Sequence, residues 1–376
     1  MHSIQDLDTS GARAVETFVH DGTRYLVVPQ LALDVPGQPA MITVGDSSNV
    51  DALVYRWEGG AFEAHARLPV PGGEDAEFFR IGERAFLATA SLKSGTGPYE
   101  LNVDSVIFEL KDGAFTELQR VPTFAAKQWT HFAIGERHFL ALAQGVAMEG
   151  NVPRHPSKSA LYEWNGERFV EFQVIDSVWG YNFAFFEIGA QRFLAYADHV
   201  APSRVMLWSG TRFEDFQSLE GKTGRAFQFF EHGGEAWLAF ACLHDDTVLL
   251  RWSGNGCGFV AHQTLSGPGG REFIWREDAQ GGELVQVNFL LGSREAPITS
   301  MTSVGYRFVD GRLAVRREFP TLGGTDACAF EDDGQAYLVV ANSLGADIRF
   351  RTPSKVYRLG EAQTQAQTQA QPGAAR

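Results

Sequence analysis

The sequence has 376 residues and a formal charge of −14, with 46 acidic residues against 32 basic ones. Because an acidic surface repels phosphate backbones and the Lys and Arg residues are scattered, we expect no nucleic-acid partner. No apolar run approaches the ~20 residues of a membrane span, and the first residues lack the basic start and apolar core of a signal peptide. The three Cys residues have no metal-like spacing and are typical of reduced thiols. We expect a cytoplasmic protein without membrane contact, and we expect it to be monomeric.

A pattern of aromatic residues begins at the start of the chain and recurs to its end. A Gln or its substitute is followed at one fixed spacing by a Phe, in the pairs Gln5/Phe18, Ala66/Phe79, Gln119/Phe132, Gln173/Phe186, Gln217/Phe230 and Arg317/Phe330. A Gly and then a second aromatic residue follow each Phe, the second aromatics being Tyr25, Phe86, Phe139, Phe193, Trp237 and Tyr337. One further unit, around Gln263, carries Arg276 where the Phe is expected, and we expect a shift of register to leave Arg276 exposed.

Each repeat unit predicts four short antiparallel strands, which we name A to D. Along one stretch of the chain, strand C ends at Trp164 and strand D begins at Phe169, and then strand A of the following blade lies around Phe186 and its strand B begins at Phe193. Seven such units predict a seven-bladed β-propeller, an all-β ring in which neighbouring sheets bury each other's faces. Residues 3–8 match an isolated strand D, so we expect them to complete blade 7 and close the ring. We therefore expect one domain over residues 1–360 and a disordered Gln/Thr/Ala-rich tail over residues 361–376.

The pattern resembles the EAR repeat, also called EPTP, of a family of seven-bladed β-propellers. The residues that carry the resemblance are the segments from Phe132 to Ala143 and from Phe186 to Ala197, with the Tyr-x-Trp and Phe-x-x-x-Gln motifs. The resemblance implies the propeller fold and, from the better-known animal members, a protein-binding role. It implies no catalytic motif, so it assigns no site residue.

The connections between strands differ in length on the two sides of the predicted ring. The A to B and C to D turns are short and rich in Gly, whereas the B to C and D to A connections share the opposite face and vary in length. The B to C connections are long in blades 1, 2, 3, 6 and 7 and short in blades 4 and 5. We expect the long ones to form a wall around this long-loop face, with a gap above blades 4 and 5.

Acidic and imidazole side chains follow strand B in the two blades of this gap. Asp198 and His199 follow strand B of blade 4, and His244 and Asp245 follow strand B of blade 5. In one interpretation, Asp198 and Asp245 hold a divalent cation such as Ca²⁺ in the central channel, because hard cations take oxygen ligands. In the other, His199 and His244 act with the two carboxylates as a general acid–base cluster, because imidazole titrates near neutral pH.

Other polar and aromatic residues of this face are candidates for ligand binding. Gln144 and Asn342 occupy the same place after strand B in blades 3 and 7 and are expected at the channel mouth. Trp179, Tyr181 and Asn182, together with Arg225, lie in D to A connections, and exposed aromatics there suit stacking on a ligand or a protein.

Two classes of function compete for this face. We expect a binding module for a protein partner or a small ligand, because no catalytic signature is present. The alternative is an enzyme without an organic cofactor, such as a lyase, isomerase or cyclase, that uses the Asp/His cluster in a pocket. The fold does not decide between the two.

Overall fold

The computed structural model describes residues 1–38, 46–97, 99–145, 147–149, 152–154, 157–219, 224–254, 256–278, 281–293 and 296–360. Seven sheets of four antiparallel strands form a ring in this part of the chain, as predicted. No helix long and apolar enough to cross a membrane occurs within these residues. The predicted tail, residues 361–376, lies outside the described residues.

Strands A to D follow each other in space in chain order within the first six blades. Blade 1 consists of Glu16–His20, Thr23–Val28, Ala52–Glu58 and Ala61–Leu68. Blade 2 consists of Gly73–Ile81, Arg84–Ser91, Ser105–Lys111 and Ala114–Val121. Blade 3 consists of Ala126–Ile134, Arg137–Gln144, Ser157–Trp164 and Phe169–Ser177. Blade 4 consists of Gly180–Ile188, Gln191–Asp198, Ser203–Trp208 and Phe213–Leu219. Blade 5 consists of Gly224–His232, Glu235–Cys242, Thr247–Trp252 and Phe259–Ser266. Blade 6 consists of Gly270–Asp278, Gly281–Asn288, Ser300–Val309 and Arg312–Leu322.

Blade 7 is built from both ends of the described chain. Its strands A to C are Gly324–Asp332, Gln335–Asn342 and Ser354–Leu359, and its strand D is His2–Leu7. Asp6 faces Lys355 in this pairing, and the Lys355 Nζ lies 2.6 Å from Asp6 Oδ1. The strand predicted over residues 3–8 therefore closes the ring, one residue earlier than expected.

The recurring aromatic residues fill the core. In blade 4 Phe186 and Phe193 are paired across strands A and B, and their stacked rings lie 5.5 Å apart between centroids. The Trp that ends strand C packs on the preceding blade, as Trp208 does on Phe139 at 6.1 Å. Each buried Phe contributes about 1.5–3 kcal/mol to folding. Because the rings sit between blades, no blade can bury its own faces alone.

The recurring Gln of strand D joins neighbouring blades by two hydrogen bonds. Gln173 Nε2 donates to the Phe213 carbonyl oxygen at 2.8 Å, and its Oε1 accepts from the Phe213 N–H at 2.9 Å. The same paired bonds join Gln5 to Phe62, Gln119 to Phe169, Gln217 to Phe259 and Gln263 to Leu313. The Phe-x-x-x-Gln motif is therefore a latch between the D strands of adjacent blades.

Blade 6 replaces the aromatic pair by an ion pair. Arg276 faces Glu283 in the register that joins Phe186 to Phe193 in blade 4, so no register shift occurs. The Arg276 side chain is only 10% exposed, its Nε lies 2.8 Å from Glu283 Oε2, and Arg317 Nε lies 2.7 Å from the other carboxylate oxygen. The prediction that Arg276 is exposed is therefore wrong, because a buried carboxylate supplies the partner that a buried Arg needs.

The connections on the long-loop face follow the predicted lengths where they are described. Strand B of blade 4 ends at Asp198 and strand C begins at Ser203, and the blade 5 connection runs only from Cys242 to Thr247. Longer connections carry small sheets that pair Leu33–Asp34 with Asp46–Ser47, Ala147–Glu149 with Val152–Arg154, and Leu291–Gly292 with Pro297–Ile298. Loops from blades 1 and 7 share a small core of Leu31, Ala32, Leu344 and Phe350. The continuous wall stays a prediction, since parts of these loops lie outside the described residues.

Candidate functional site

In blades 2 to 7 strand A begins at the long-loop face with Gly or Ala, and in blade 1 Ala12 holds the corresponding place ahead of strand A. In blade 4 this residue is Gly180, where a Cβ atom would lie 2.2 Å from Tyr196 Oη. The register then shifts between Gly180 and Asn182, so Tyr181 is the extra residue of a β-bulge. Bulges redirect a side chain out of the regular alternation, and here they turn the second residue of strand A towards the axis.

A ring of seven side chains results at the top of the channel, one from each blade. In blade order these are Arg13, Glu74, Lys127, Tyr181, Arg225, Arg271 and Thr325. The four basic side chains and Glu74 are all less than 10% exposed. We call this set the cationic ring, because it holds four basic groups and one carboxylate.

Glu74 is the shared counter-ion of three basic groups in the ring. Arg13 donates to both carboxylate oxygens, at 2.7 and 3.0 Å. Lys127 Nζ and Arg271 Nη2 lie 3.3 and 3.4 Å from Glu74 Oε1. Burial alone would raise the pKa of Glu74, but the charges of its neighbours, led by Arg13, hold this pKa well below its ordinary value. Glu74 is therefore ionised.

Tyr181 lies among the other cations. The Arg225 guanidinium stacks on the Tyr181 ring at 3.8 Å, and Lys127 Nζ lies 4.9 Å from the same centroid. Burial opposes ionisation of this phenol, yet the surrounding cations, led by Arg225, lower the pKa of Tyr181 to about 7. Tyr181 is thus a potential second anion in the ring, at a pH where phenols are normally neutral.

Carboxyl groups line the channel below the cationic ring. They belong to Glu16, Asp75, Glu77, Glu272 and Asp326. Several accept backbone N–H groups of the next blade, as Asp75 does from Trp129 at 2.8 Å. Burial raises the pKa of Asp75 well above its ordinary value, and it raises the pKa of both Glu77 and Asp326 to about 7. Ionisation of these groups is therefore disfavoured by burial, in contrast to that of Glu74.

The channel encloses a cavity of about 590 Å³. One end is lined by members of the cationic ring, including Arg13, Lys127 and Arg271. The wall continues past the channel carboxyl groups to Phe185 and Phe229 near the far ends of their strands. This size is within the range of small-molecule sites, roughly 300–1,000 Å³.

Asp198, predicted as a catalytic or metal-binding residue, is buried and accepts backbone hydrogen bonds. Its carboxylate takes N–H groups from Val178, Trp179, Val200 and Ala201, at distances from 2.8 to 3.2 Å. This carboxylate therefore holds the D to A and B to C connections of blade 4 together. Among the described residues no three His, Cys, Asp or Glu side chains lie close enough together to hold a metal ion. The divalent cation therefore stays a prediction.

His199 lies at the channel mouth with the predicted aromatic residues. Its ring centroid is 5.6 Å from Tyr181, 6.3 Å from Trp179 and 5.9 Å from His244. Burial and the positive charge of Arg225 lower the pKa of His199 to about 3, so its imidazole is neutral. His244 is exposed, as is Asp245 in the same turn. The structure thus brings together two predicted imidazoles and both predicted aromatics, which we call the aromatic patch.

The remaining predicted ligand-binding residues make bonds within the scaffold. Gln144 accepts from the Phe124 N–H at 2.9 Å and donates to the Lys158 carbonyl at 2.9 Å. Asn342 makes the equivalent bonds in blade 7, to the Leu322 N–H and the Pro353 carbonyl. Asn182 Oδ1 accepts from the Phe227 N–H of blade 5 at 2.9 Å. These amides connect loops and blades, which occupies the groups that a ligand would need.

Sequence reasoning did not single out Arg13 and Glu74 or recognise the cationic ring. Its members are one residue per blade and differ in type, so the repeat alignment carries no consensus there. The available signal was the small residue before each of them, such as Gly73 before Glu74 and Gly224 before Arg225.

Comparisons with known proteins agree with this architecture. Residues 2–58, 114–165, 168–209 and 212–253 match the family described as the EPTP domain. Similar curated proteins include the thrombospondin-type laminin G domain and EAR repeat-containing proteins of Mus musculus and Homo sapiens, 35% and 33% identical over 262 residues. Both alignments cover 54% of this chain and only 37% of the relative.

A solved structure with the same fold is a chain of the mitotic checkpoint complex. It superposes with a TM-score of 0.60 at 12% identity, covering 95% of this chain and 94% of that chain. At that identity the likeness concerns the fold alone. Because the matched family segments together span just over half of the sequence, this chain belongs to the EPTP, or EAR-repeat, family of β-propellers.

Proposed function

We propose that this chain is a binding module that recognises a protein partner on its long-loop face, over the mouth of the central channel. The observation that supports this proposal most directly is the aromatic patch of Trp179, Tyr181, His199 and His244. Three of these residues are half-buried and His244 is exposed, so the patch presents rings to solvent on a rigid scaffold. Partly exposed aromatic side chains at the centre of a face are typical anchors of protein interfaces.

Two polar atoms of the patch support the same proposal. Trp179 Nε1 and His199 Nδ1 are buried and have no hydrogen-bond partner among the described residues. Such atoms favour a bound group that supplies an acceptor or donor, because an unsatisfied buried polar atom costs about 1–3 kcal/mol. The short connections of blades 4 and 5 leave this part of the face accessible to a large partner.

The test is comparative capture with three immobilised forms of the chain. The wild type and Val315→Ala, a change at an exposed site on strand D of blade 6, should retain the same partner. Trp179→Ala should lose it while keeping the wild-type melting temperature. A partner that binds all three forms equally would refute the proposed face.

An enzyme is the second candidate, and Tyr181 is the observation that favours it. A phenol with a pKa near 7 beside a cavity is a suitable general base, since catalytic pKa values close to the working pH give efficient proton transfer. In this alternative Tyr181 is the general base, a role that the sequence analysis gave to Asp198. The Asp198 carboxylate instead accepts hydrogen bonds from loop N–H groups. The neutral His199, whose ring centroid lies 5.6 Å from that of Tyr181, would orient the substrate by a hydrogen bond. Tyr181→Phe, which removes the hydroxyl group and keeps the aromatic ring, should then abolish turnover.

A further inference from the structure

We propose that the cationic ring is a binding site for a small organic carboxylate, which enters the central cavity and places its anionic group beside Arg225, Arg271 and Lys127. This inference goes beyond partner recognition, because the site lies inside the channel and does not need the outer face. The two proposals are therefore independent: partner binding through the aromatic patch does not require a carboxylate in the channel.

The charges in the ring do not balance. Four basic side chains, each less than 10% exposed, surround the single carboxylate of Glu74. Buried charges are normally paired, since removing a charge from water without a partner is costly. Arg13 already forms a bidentate ion pair with Glu74, and Lys127 and Arg271 both contact Glu74 Oε1 at longer distances. The ring therefore has an excess of positive charge that a further anion would neutralise.

Arg225 does not itself line the cavity, but it contacts Tyr181, which does, so its charge acts on this end of the cavity. Within the described residues no carboxylate lies at ion-pair distance from its guanidinium, which stacks on Tyr181 and hydrogen-bonds to the Tyr181 hydroxyl group. Its Nε is buried without a hydrogen-bond partner in the same part of the chain, and so is the Nε of Arg271. Arg side chains bind carboxylates through two parallel N–H groups, so these free donors match that chemistry.

The carboxyl groups deeper in the channel supply only part of the missing charge, because burial raises their pKa values. Asp75 and Asp326 instead accept the backbone N–H groups of Trp129 and Val15, each at 2.8 Å. Their burial favours the protonated form, as does that of Glu272. Below the layer of cations thus lies a layer of carboxyl groups whose ionisation is disfavoured by burial.

The wall of the cavity indicates what kind of acid fits. Below the ring it carries the amides of Gln128 and Gln228 and the hydroxyl group of Thr130, in addition to the carboxyl groups. Each of the three uses one polar atom within the scaffold: Gln128 Oε1 accepts from the Phe183 N–H at 3.0 Å, Gln228 Nε2 donates to the Phe229 carbonyl at 2.8 Å, and Thr130 Oγ1 donates to the Phe183 carbonyl at 3.0 Å. The Thr130 oxygen can still accept a hydrogen bond and a protonated carboxyl group can donate one, so the wall can bond to hydroxyl groups. The volume of about 590 Å³ admits a molecule of the size of a sugar acid. The ligand class is therefore a hydroxylated acid, bound by its carboxylate at the ring and by its hydroxyl groups along the channel.

Calorimetric titration at constant ionic strength tests this inference. The probes are glycerate, malate and glucuronate, with glucuronamide as the neutral analogue of glucuronate. At least one acid should bind, and glucuronamide should bind at least tenfold more weakly than glucuronate. Arg225→Gln should weaken the binding of the acid by about tenfold to a hundredfold, as expected for the loss of a charged hydrogen bond. Arg204→Gln is the matched control on the outside of blade 4 and should leave the affinity unchanged.

A second measurement separates binding in the ring from binding elsewhere. A carboxylate beside Tyr181 disfavours its ionised form, so a saturating acid should move the tyrosinate absorbance titration to higher pH. If Arg225→Gln does not fold, Lys127→Gln replaces it in the comparison. The inference is wrong if none of the three acids binds, if glucuronamide binds as tightly as glucuronate, or if the ring variant and Arg204→Gln have equal affinity. Such a result would leave the proposed partner face untouched, because capture through Trp179 is measured separately.

Discussion

Replacing Gln173 by Ala removes both hydrogen bonds that join strand D of blade 3 to strand D of blade 4. The two bonds measure 2.8 and 2.9 Å and satisfy the backbone N–H and carbonyl of Phe213, a residue that is only 1% exposed. Each bond contributes about 0.5–1.5 kcal/mol net, and a buried group left without a partner costs about 1–3 kcal/mol. Because water can reach part of the gap, we expect the free energy of unfolding to fall by about 2–3 kcal/mol.

Urea unfolding followed by Trp fluorescence measures this loss. Glu171→Ala, at an exposed position on the same strand, is the matched control and should change the free energy by less than about 0.5 kcal/mol. Blade 1 offers the converse experiment, because Ala66 occupies the latch position and makes no such bond. Ala66→Gln should bond to the backbone of Phe115 in blade 2 and add about 1 kcal/mol. A Gln173→Ala variant as stable as its control would refute the interpretation of this Gln as a latch.

Three further predictions follow from charge and from the closure of the ring. The raised pKa of Glu77 means that its protonated form stabilises the fold at low pH and that this contribution is lost as the pH rises from about 4.5 to about 7. Glu77→Gln should therefore be more stable than the wild type at about pH 8, by at most about 3 kcal/mol, and should show no such gain at about pH 4. Urea unfolding that gives the same difference between variant and wild type at both pH values would contradict this. Tyrosinate absorbance should show a titration near pH 7 that Tyr181→Phe removes and that Arg225→Gln moves upward, because the largest stabilising charge is lost; an unchanged titration in both variants would exclude the assignment. Asp6→Cys with Lys355→Cys should form a disulfide that raises the melting temperature until reductant is added, whereas unreacted thiols would contradict the observed register.

The number of blades and the closure of the ring could be predicted from the sequence, because both depend on a pattern that repeats. Phe186 and Phe193 recur at one spacing since every blade must fill the same wedge of core. The extra copy of strand D before blade 1 had no other place to pair. Arg276 was the exception. A single sequence position does not reveal that Glu283, reached only through the strand register, supplies its partner.

The candidate site was predictable residue by residue but not as an arrangement. Trp179 and Tyr181 stood out because the repeat does not require aromatics there, and His199 and His244 because of their place after strand B. Their meeting over a ring of buried charge depends on seven strands that converge on one axis. The predicted role of Asp198 could not be distinguished from a loop contact, since the backbone N–H groups that it accepts have no signature in the sequence.

The pairing of His2–Leu7 with Ser354–Leu359 also sets the order in which this chain can fold during synthesis on the ribosome. Asp6 and Lys355 are 349 positions apart, so strand D of blade 7 has no partner until nearly the whole propeller has been made. Until then it is a lone edge segment, and its acidic Asp6 and the following Asp8 are residues of the kind that discourage wrong pairing between chains. Blade 7 is therefore the last to be completed, and slowing the translation of residues 354–359 should prolong the period in which a chaperone can bind the newly made protein.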